Sequence, residues 1–193
     1  MRRSNEARSG AMRAALMAAG REIFVSAGFA AATTPAIVAA AGVTRGALYH
    51  HFTDKTALFE AVIRAEAGAV AAAIDAATVA PADPLEALRT GGRAFLQAMK
   101  APGRARLLLV EGPAVLGPAA MAAIDAATGA ATLRAGLAEA MAQGLLRPLP
   151  PDATAQVLSA GYDRAALAIA GGADVDAWVT VMDALLEGLA TRR

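Results

Sequence analysis

Residues Thr33 to Phe59 read TTPAIVAAAGVTRGALYHHFTDKTALF. Thr33 can cap a short helix, because its hydroxyl can accept a backbone N–H of the first turn. A glycine turn at residues 41–43 leads to Thr44, which can cap a second short helix, and Asp54 can cap a third. Two short helices joined by a glycine turn predict a helix-turn-helix, the arrangement that presents a small helix to the DNA major groove.

The second short helix has the size and the two faces that a recognition helix needs. Residues 45–51 span roughly 10 Å, which fits the major groove. Leu48 and Phe52 lie four residues apart and can hold the helix to the protein. The outward face is predicted to carry Thr44, Arg45, Ala47, Tyr49 and His50. Arg45 is the best candidate base reader, because its guanidinium can donate to O6 and N7 of guanine.

Other residues of this segment can contact phosphates or bases, or allow the protein backbone to approach the DNA closely. Thr44 can donate to a phosphate or a base, and Gly46 allows the backbone to approach DNA closely. Ala47 offers a methyl group to a thymine methyl. Lys55 combines a positive side chain with the positive end of its helix, which favours a phosphate. We expect both Arg45 and Lys55 to face outward.

Simpler interpretations of the same side chains remain open. Tyr49 can be a rim residue of a small core, and Lys55 a solvated lysine. His50 and His51 are the only histidines of the chain, and as neighbours they point about 100° apart on a helix, which disfavours a metal site. Residues 1–9 are polar and basic and predict a mobile arm, either solvated or reaching a minor groove.

Residues 10–60 resemble the DNA-binding head of the TetR family of bacterial transcriptional regulators. The resemblance rests on the glycine turn, Thr44, Gly46, the run from Leu48 to Phe52, and Lys55, at the family's spacings. It implies an all-α homodimer with a three-helix head and a helical body that binds a small-molecule effector. Two departures, Ala32 and Pro35, suggest fewer phosphate contacts from the second helix.

The resemblance also implies that the positions of Tyr49, His50 and His51 contact DNA. The expected DNA-binding residues are therefore Thr33, Thr44, Arg45, Gly46, Ala47, Tyr49, His50, His51 and Lys55. The expected partner is a double-stranded, palindromic operator, and the most common action in the family is repression. No cofactor and no metal are predicted.

Composition agrees with an all-α protein. Apolar residues make up 56 % of the chain and aromatic residues only 4 %, so the core must be built mostly from alanine, leucine, valine and isoleucine, and alanine is the best helix former. Residues 1–60 hold seven basic and four acidic residues, and the remainder holds eleven and thirteen. Without a cysteine, a signal peptide or a continuous apolar span, the chain is predicted to be cytoplasmic and not membrane-bound.

The chain is predicted to divide into a head, residues 1–60, and an effector-binding and dimerisation body, residues 61–193. The head's first helix is predicted near residues 10–27, ending at Gly28. The fourth helix is expected to run from Lys55 to about Thr78 and to enter the body. A break marked by Pro81 and Pro84 precedes body helices near residues 85–100, 104–116, 119–143, 152–170 and 174–190.

Two sets of body residues are candidates for binding. The rare large or polar groups on alanine-rich helices are weak candidates for a lipophilic effector pocket, with plain core or surface as the alternative: Phe95, Met99, Leu108, Glu111 and Tyr162. An apolar stripe on the last two helices predicts an isologous homodimer interface, formed by Leu158, Tyr162, Trp178, Val181, Met182, Leu185 and Leu189.

The sequence argues against an enzyme and leaves one other class of function open. An enzyme would need converging titratable groups, but the body's carboxylates are scattered and both histidines lie in the recognition helix. A helical scaffold or adaptor that binds no DNA is the alternative function. Retention on heparin or random duplex DNA that is lost as salt rises separates the two, because only phosphate binding has that salt dependence.

Overall fold

The computed structural model describes residues 2–79, 83–126 and 128–191, and these form helices and connecting turns. The only extended pairing in this part of the chain is one isolated bridge between Leu146 and Ala190. The predicted all-α fold is confirmed. The helices are α1 (Arg2–Ala31), α2 (Thr34–Ala40), α3 (Arg45–His51), α4 (Lys55–Ala77), α5 (Pro84–Met99), α6 (Arg104–Arg106), π1 (Leu107–Glu111), α7 (Gly112–Leu116), α8 (Pro118–Ala126), α9 (Gly129–Ala142), α10 (Pro151–Ala170) and α11 (Val175–Leu189).

The head is built by α1, α2, α3 and the start of α4 around a small aromatic core. The Phe24 and Phe59 rings meet edge to face with centroids 5.0 Å apart, and Phe29 lies 4.9 Å from Phe59. Gly20 lets α1 approach Leu58 of α4 closely. One stretch of the described helices, Glu6–Ala31, is long and apolar enough to cross a membrane by length and composition. It is the head's own first helix.

The body is a helical layer built on α4 and α5. The fourth helix continues without interruption past residue 60 and packs against both α1 and α5. In turn α5 contacts α9, α10 and α11. The helix α4 therefore belongs to both the head and the body.

Three predicted helix boundaries are wrong. The predicted arm at 1–9 continues α1 from Arg2, and Gly28 (φ 81°) breaks its helical geometry but is followed by a further turn. The predicted helix 119–143 is two helices, and Thr128 lies between them with non-helical dihedrals. The predictions that concern Pro81 and the side chains of Arg2 and Arg3 lie outside the described residues.

The predicted helix 104–116 is a composite whose middle is a π-helix. The Gly112 N–H donates to the carbonyl of Leu107, five residues back. Pro113 follows and has no N–H to donate to Leu109, so the regular ladder is interrupted at this point. The π-helical segment lies between the body and α1.

Candidate nucleic-acid interface and body cavity

Helix α3 is held in place by local caps at its start and by buried side chains on its inner face. The Thr44 hydroxyl accepts the N–H of Ala47 at 3.2 Å, as the Thr33 hydroxyl accepts that of Ala36 at 3.3 Å. Leu48 and Phe52 are buried in the head core. The predicted caps and the predicted inner face of α3 are therefore confirmed.

The outer face of α3 presents a pre-oriented arginine. Thr44, Arg45, Gly46, Tyr49 and His50 are exposed. The Arg45 guanidinium lies over the Tyr49 ring, 5.5 Å from its centroid. The neighbouring Arg45 guanidinium is the largest cause of a lowered pKa at the Tyr49 phenol. Stacking on a neighbour one turn away restricts the arginine's rotamers while its donors stay available.

Ala47 and His51 are half-buried, so they lie at the edge of this face rather than on it. The two histidine rings are edge to face with centroids 5.2 Å apart. No cluster of three potential metal-ligating side chains occurs in the described parts of the chain.

The expected outward orientation of Lys55 is wrong. Its ammonium donates to the carbonyls of Phe29 and Ala32, both at 2.8 Å, and lies 4.2 Å from the centroid of the Phe29 ring. These carbonyls end α1, where backbone acceptors lack helical partners. Lys55 therefore links the end of α1 to the start of α4, and these two bonds use two of its three ammonium protons.

A buried carboxylate joins the head to the body. Glu66 of α4 is 7 % exposed and accepts from Arg21 of α1 at 2.8 Å and from Arg104 of α6 at 2.7 Å. Burial by itself raises the pKa of Glu66, but the hydrogen bonds and charges of the two arginines outweigh it, so the pKa is lowered. Arg21 also donates to the carbonyl of Pro102.

A second junction connects the π-helical segment to the head. The Glu111 carboxylate accepts the backbone N–H of Phe29 at 2.9 Å and pairs with Arg106. This N–H follows Gly28, where α1 loses its helical geometry. Glu111 is absent from the lining of the body cavity, so its predicted role as an effector-binding residue has no support. It instead connects the π-helical segment to the end of α1.

The body contains a cavity of about 930 Å³ that is partly open to solvent and is lined by α4, α5, π1, α7, α8, α9 and α10. Four of the weak candidates line it, namely Phe95, Met99, Leu108 and Tyr162. The sequence analysis missed Asp125 and Asp163, which also line it. Asp125 is the only charged residue between Glu111 and Arg134, a signal that could have revealed it.

The predicted dimer stripe divides between two faces. Leu158, Tyr162 and Met182 are buried inside the protomer, so assigning them to a free surface is wrong. Trp178 and Leu189 are half-buried. Val181 and Leu185 are 52 % and 51 % exposed, and Val157 of α10, which the prediction omitted, is 73 % exposed.

Comparisons with known proteins match both parts of the chain. Residues 85–189 match the family model described as "Tetracyclin repressor-like, C-terminal domain". Residues 16–62 match the model of bacterial regulatory proteins of the tetR family. The chain belongs to the TetR family. The family predicted from residues 10–60 is thereby confirmed, and the match extends through the body of this TetR-family chain.

Named relatives include proteins of both regulatory directions. The transcriptional activator FasR of Mycolicibacterium smegmatis is 30 % identical over 131 residues, 68 % of this chain and 60 % of FasR. The repressor BepR of Brucella suis is 38 % identical over 61 residues, 32 % of this chain and 29 % of BepR. The crystal structure of a TetR-family regulator from Pectobacterium atrosepticum is 30 % identical, with a TM-score of 0.73 over 96 % of this chain and 97 % of that one.

Proposed function

We propose that this TetR-family protein is a ligand-responsive transcriptional regulator that binds a palindromic DNA operator as a homodimer in the cytoplasm. The observation that carries the proposal is α3, which is anchored by Leu48 and Phe52 and presents Arg45 on an exposed face. In this proposal residues 1–60 contact DNA. Residues 61–193 bind the effector and form the dimer.

The proposed contacts fall into two kinds. Arg45 reads a base, with Thr44, Ala47, Tyr49 and His50 beside it. Thr33, Gly46, His51 and the third ammonium proton of Lys55 serve phosphates or close approach of the backbone. Phosphate contacts set affinity and register, and base contacts set sequence preference.

Selection of genomic fragments bound by the purified protein tests this function. We expect enrichment of fragments that share an inverted repeat, because a two-fold dimer reads two equal half-sites. A promoter fusion carrying that repeat then separates repression, which we expect, from activation. No enrichment, together with no retention on heparin at low salt, would favour the scaffold function instead.

The effector is proposed to act through π1. Leu108 and Leu109 line the cavity, and Glu111 of the same segment holds Phe29 of the head. A ligand that moves this wall therefore acts directly on the end of α1. It can alter operator affinity only if it binds one head arrangement better than the other.

Glu111→Ala is predicted to loosen this link. Loss of a charged acceptor should raise amide hydrogen exchange at Phe29 by about tenfold to 150-fold, since hydrogen bonds to charged groups contribute roughly 1.5–3 kcal/mol. Exchange of residues 28–32 can be followed by mass spectrometry or NMR. Glu187→Ala, which breaks the Glu187–Arg89 pair within the body, is the matched control and should leave this peptide unchanged. Equal exchange in Glu111→Ala and wild type would remove the proposed link.

Leu185→Arg is predicted to convert the dimer into a folded monomer. Val181 and Leu185 lie one turn apart on the outer face of α11, where a two-fold interface would place each arginine near its symmetry mate. Light scattering at micromolar concentration measures the mass. Val79→Arg, at a residue 82 % exposed, is the control and should stay dimeric. A monomeric wild-type protein, or a dimeric Leu185→Arg variant, would contradict this assignment.

A further inference from the structure

The ionisable lining of the body cavity is acidic. Asp125 of α8, Glu139 of α9 and Asp163 of α10 line it, and none of the described lining residues is lysine, arginine or histidine. Most of the remaining wall is apolar and includes Val70, Ile74 and other aliphatic side chains. Such a wall suits a hydrocarbon body and opposes an anionic head group.

Two of these carboxylates have no protein partner among the described residues. Glu139 accepts from Gln143 at 2.7 Å. Asp125 and Asp163, in contrast, take part in none of the side-chain hydrogen bonds or ion pairs of the described chain, whereas Glu66, Glu111 and Asp183 are paired. Burial raises the pKa of Asp125, and burial together with the charge of Asp125 raises the pKa of Asp163 to about 6. Asp125 is exposed to solvent at the cavity and Asp163 is half-buried, so the charge of Asp125 disfavours ionisation of Asp163, and a cationic ligand would relieve that repulsion.

Aromatic rings lie in the same wall. Phe95 and Tyr162 meet edge to face with centroids 5.9 Å apart, and both line the cavity. Tyr162 is 7 % exposed, and its hydroxyl makes none of the side-chain hydrogen bonds found in the described chain. The hydroxyl is accommodated by Gly92, where a Cβ would lie 2.0 Å from it. Aromatic faces attract organic cations, so this pair is an observation independent of the carboxylates that also favours positive charge.

We propose that the cavity binds a lipophilic organic cation, an amine protonated at neutral pH on a hydrocarbon or aromatic body, with Asp163 and Asp125 as its counter-ions. The regulatory meaning of this ligand rests on the proposed function. The binding itself does not, because it concerns the cavity alone. The hydrocarbon part lies against the aliphatic wall, and the ammonium lies between the two carboxylates and the aromatic pair.

Calorimetric titration with three probes of one chain length tests the proposal: decylamine, decanol and decanoate, each below its aggregation concentration. At pH 7.5 we expect decylamine to bind at least about tenfold more tightly than decanol, and decanoate to bind most weakly. Asp163→Asn and Asp125→Asn should each weaken decylamine by about tenfold and leave decanol unchanged, since only the ion pair is lost. Asp75→Asn, at an exposed residue outside the cavity, is the control.

The pH dependence supplies a second readout. Among the described residues, the titratable groups that line the cavity are Asp125, Glu139, Tyr162 and Asp163, and decylamine stays protonated throughout the acidic range. Its affinity should therefore fall as pH drops through about 6, where Asp163 gains a proton. The raised pKa means that the free protein loses stability as pH rises through this range. The melting temperature of Asp163→Asn at pH 8 should therefore be no lower than that of the wild type. Weaker decylamine binding by this variant would then not be caused by unfolding.

The outcomes separate this proposal from the proposed function. Decanol or decanoate binding as tightly as decylamine, no binding of any probe, or full decylamine affinity in the Asp125→Asn, Asp163→Asn double variant would overturn the cationic ligand. Calorimetry needs no DNA, so it is decisive even if the protein binds no operator. Operator binding without decylamine binding would support the proposed regulatory function and contradict only the proposed class of ligand.

Discussion

Replacing Arg45 by alanine is expected to abolish most operator preference while leaving the fold intact. The side chain is exposed and stacked on Tyr49, so its loss opens no cavity. A bidentate arginine–guanine contact is worth about 1–3 kcal/mol per half-site. A dimer with two equal contacts would lose about twice that, on the order of 30-fold to 10⁴-fold in affinity.

Fluorescence anisotropy with the selected operator and with random duplex DNA measures this effect. The random duplex should lose far less affinity, because phosphates are unaffected. Arg134→Ala, at an exposed arginine of the body paired with Asp152, is the matched control. Equal losses on both duplexes would make Arg45 a backbone contact and transfer specificity to Thr44, Ala47 and Tyr49, or to DNA shape.

Lys55→Ala is the informative contrast to Arg45→Ala. Binding to operator and to random DNA should weaken alike, with a shallower salt dependence of about one phosphate per subunit. The structure adds a consequence: the carbonyls of Phe29 and Ala32 lose their donor, so this variant should also melt lower. Arg45→Ala should not lower the melting temperature.

The largest loss of stability is expected for Glu66→Ala. The substitution removes the acceptor that Arg21 and Arg104 share at the junction of α1, α4 and α6. Removing one member of a buried ion network costs about 3–5 kcal/mol. For a chain of this size that corresponds to a fall in Tm of roughly 6–20 °C.

Thermal unfolding with a matched control tests the assignment. Glu60→Ala breaks an exposed pair with Arg64 and should cost about 0.5 kcal/mol or less. Because the pKa of Glu66 is lowered in the folded protein, its contribution is present above the ordinary glutamate pKa of 4.5 and is lost as pH falls through the folded value. Glu66→Gln should lack that part of the acid sensitivity. A Tm for Glu66→Ala as high as that of Glu60→Ala would show that the network is not structural.

The cavity wall is connected to the DNA-binding head through π1. The wall includes residues of π1, and π1 holds the end of α1 through Glu111. The same helix α1 carries Arg21, which binds Glu66. The hydrogen bond from the Phe29 N–H to Glu111 therefore connects the segment that carries part of the cavity wall with the end of α1, and the amide exchange of Phe29 reports on that connection.

Local signals in the sequence were sufficient for the helix caps of the head and for the inner face of α3. The caps at Thr33, Thr44 and Asp54 form as predicted, because a capping side chain and its target N–H lie three residues apart and need no tertiary contact. The inner face of α3 follows from helical periodicity for the same reason. The interruptions at Thr128 and Pro113 were not predicted, since the helical pattern of apolar and alanine residues continues across both positions.

The sequence by itself determined the fold class, the family and the position of the recognition helix, because these depend on composition and on residues close together in the chain. Only the tertiary structure decided where Lys55 points, what Glu111 binds and which apolar residues of α10 and α11 stay exposed. It also brought Asp125 and Asp163, 38 positions apart, into one cavity wall. Each of these depends on contacts between distant segments, and helical periodicity specifies a face without specifying the neighbour packed against it.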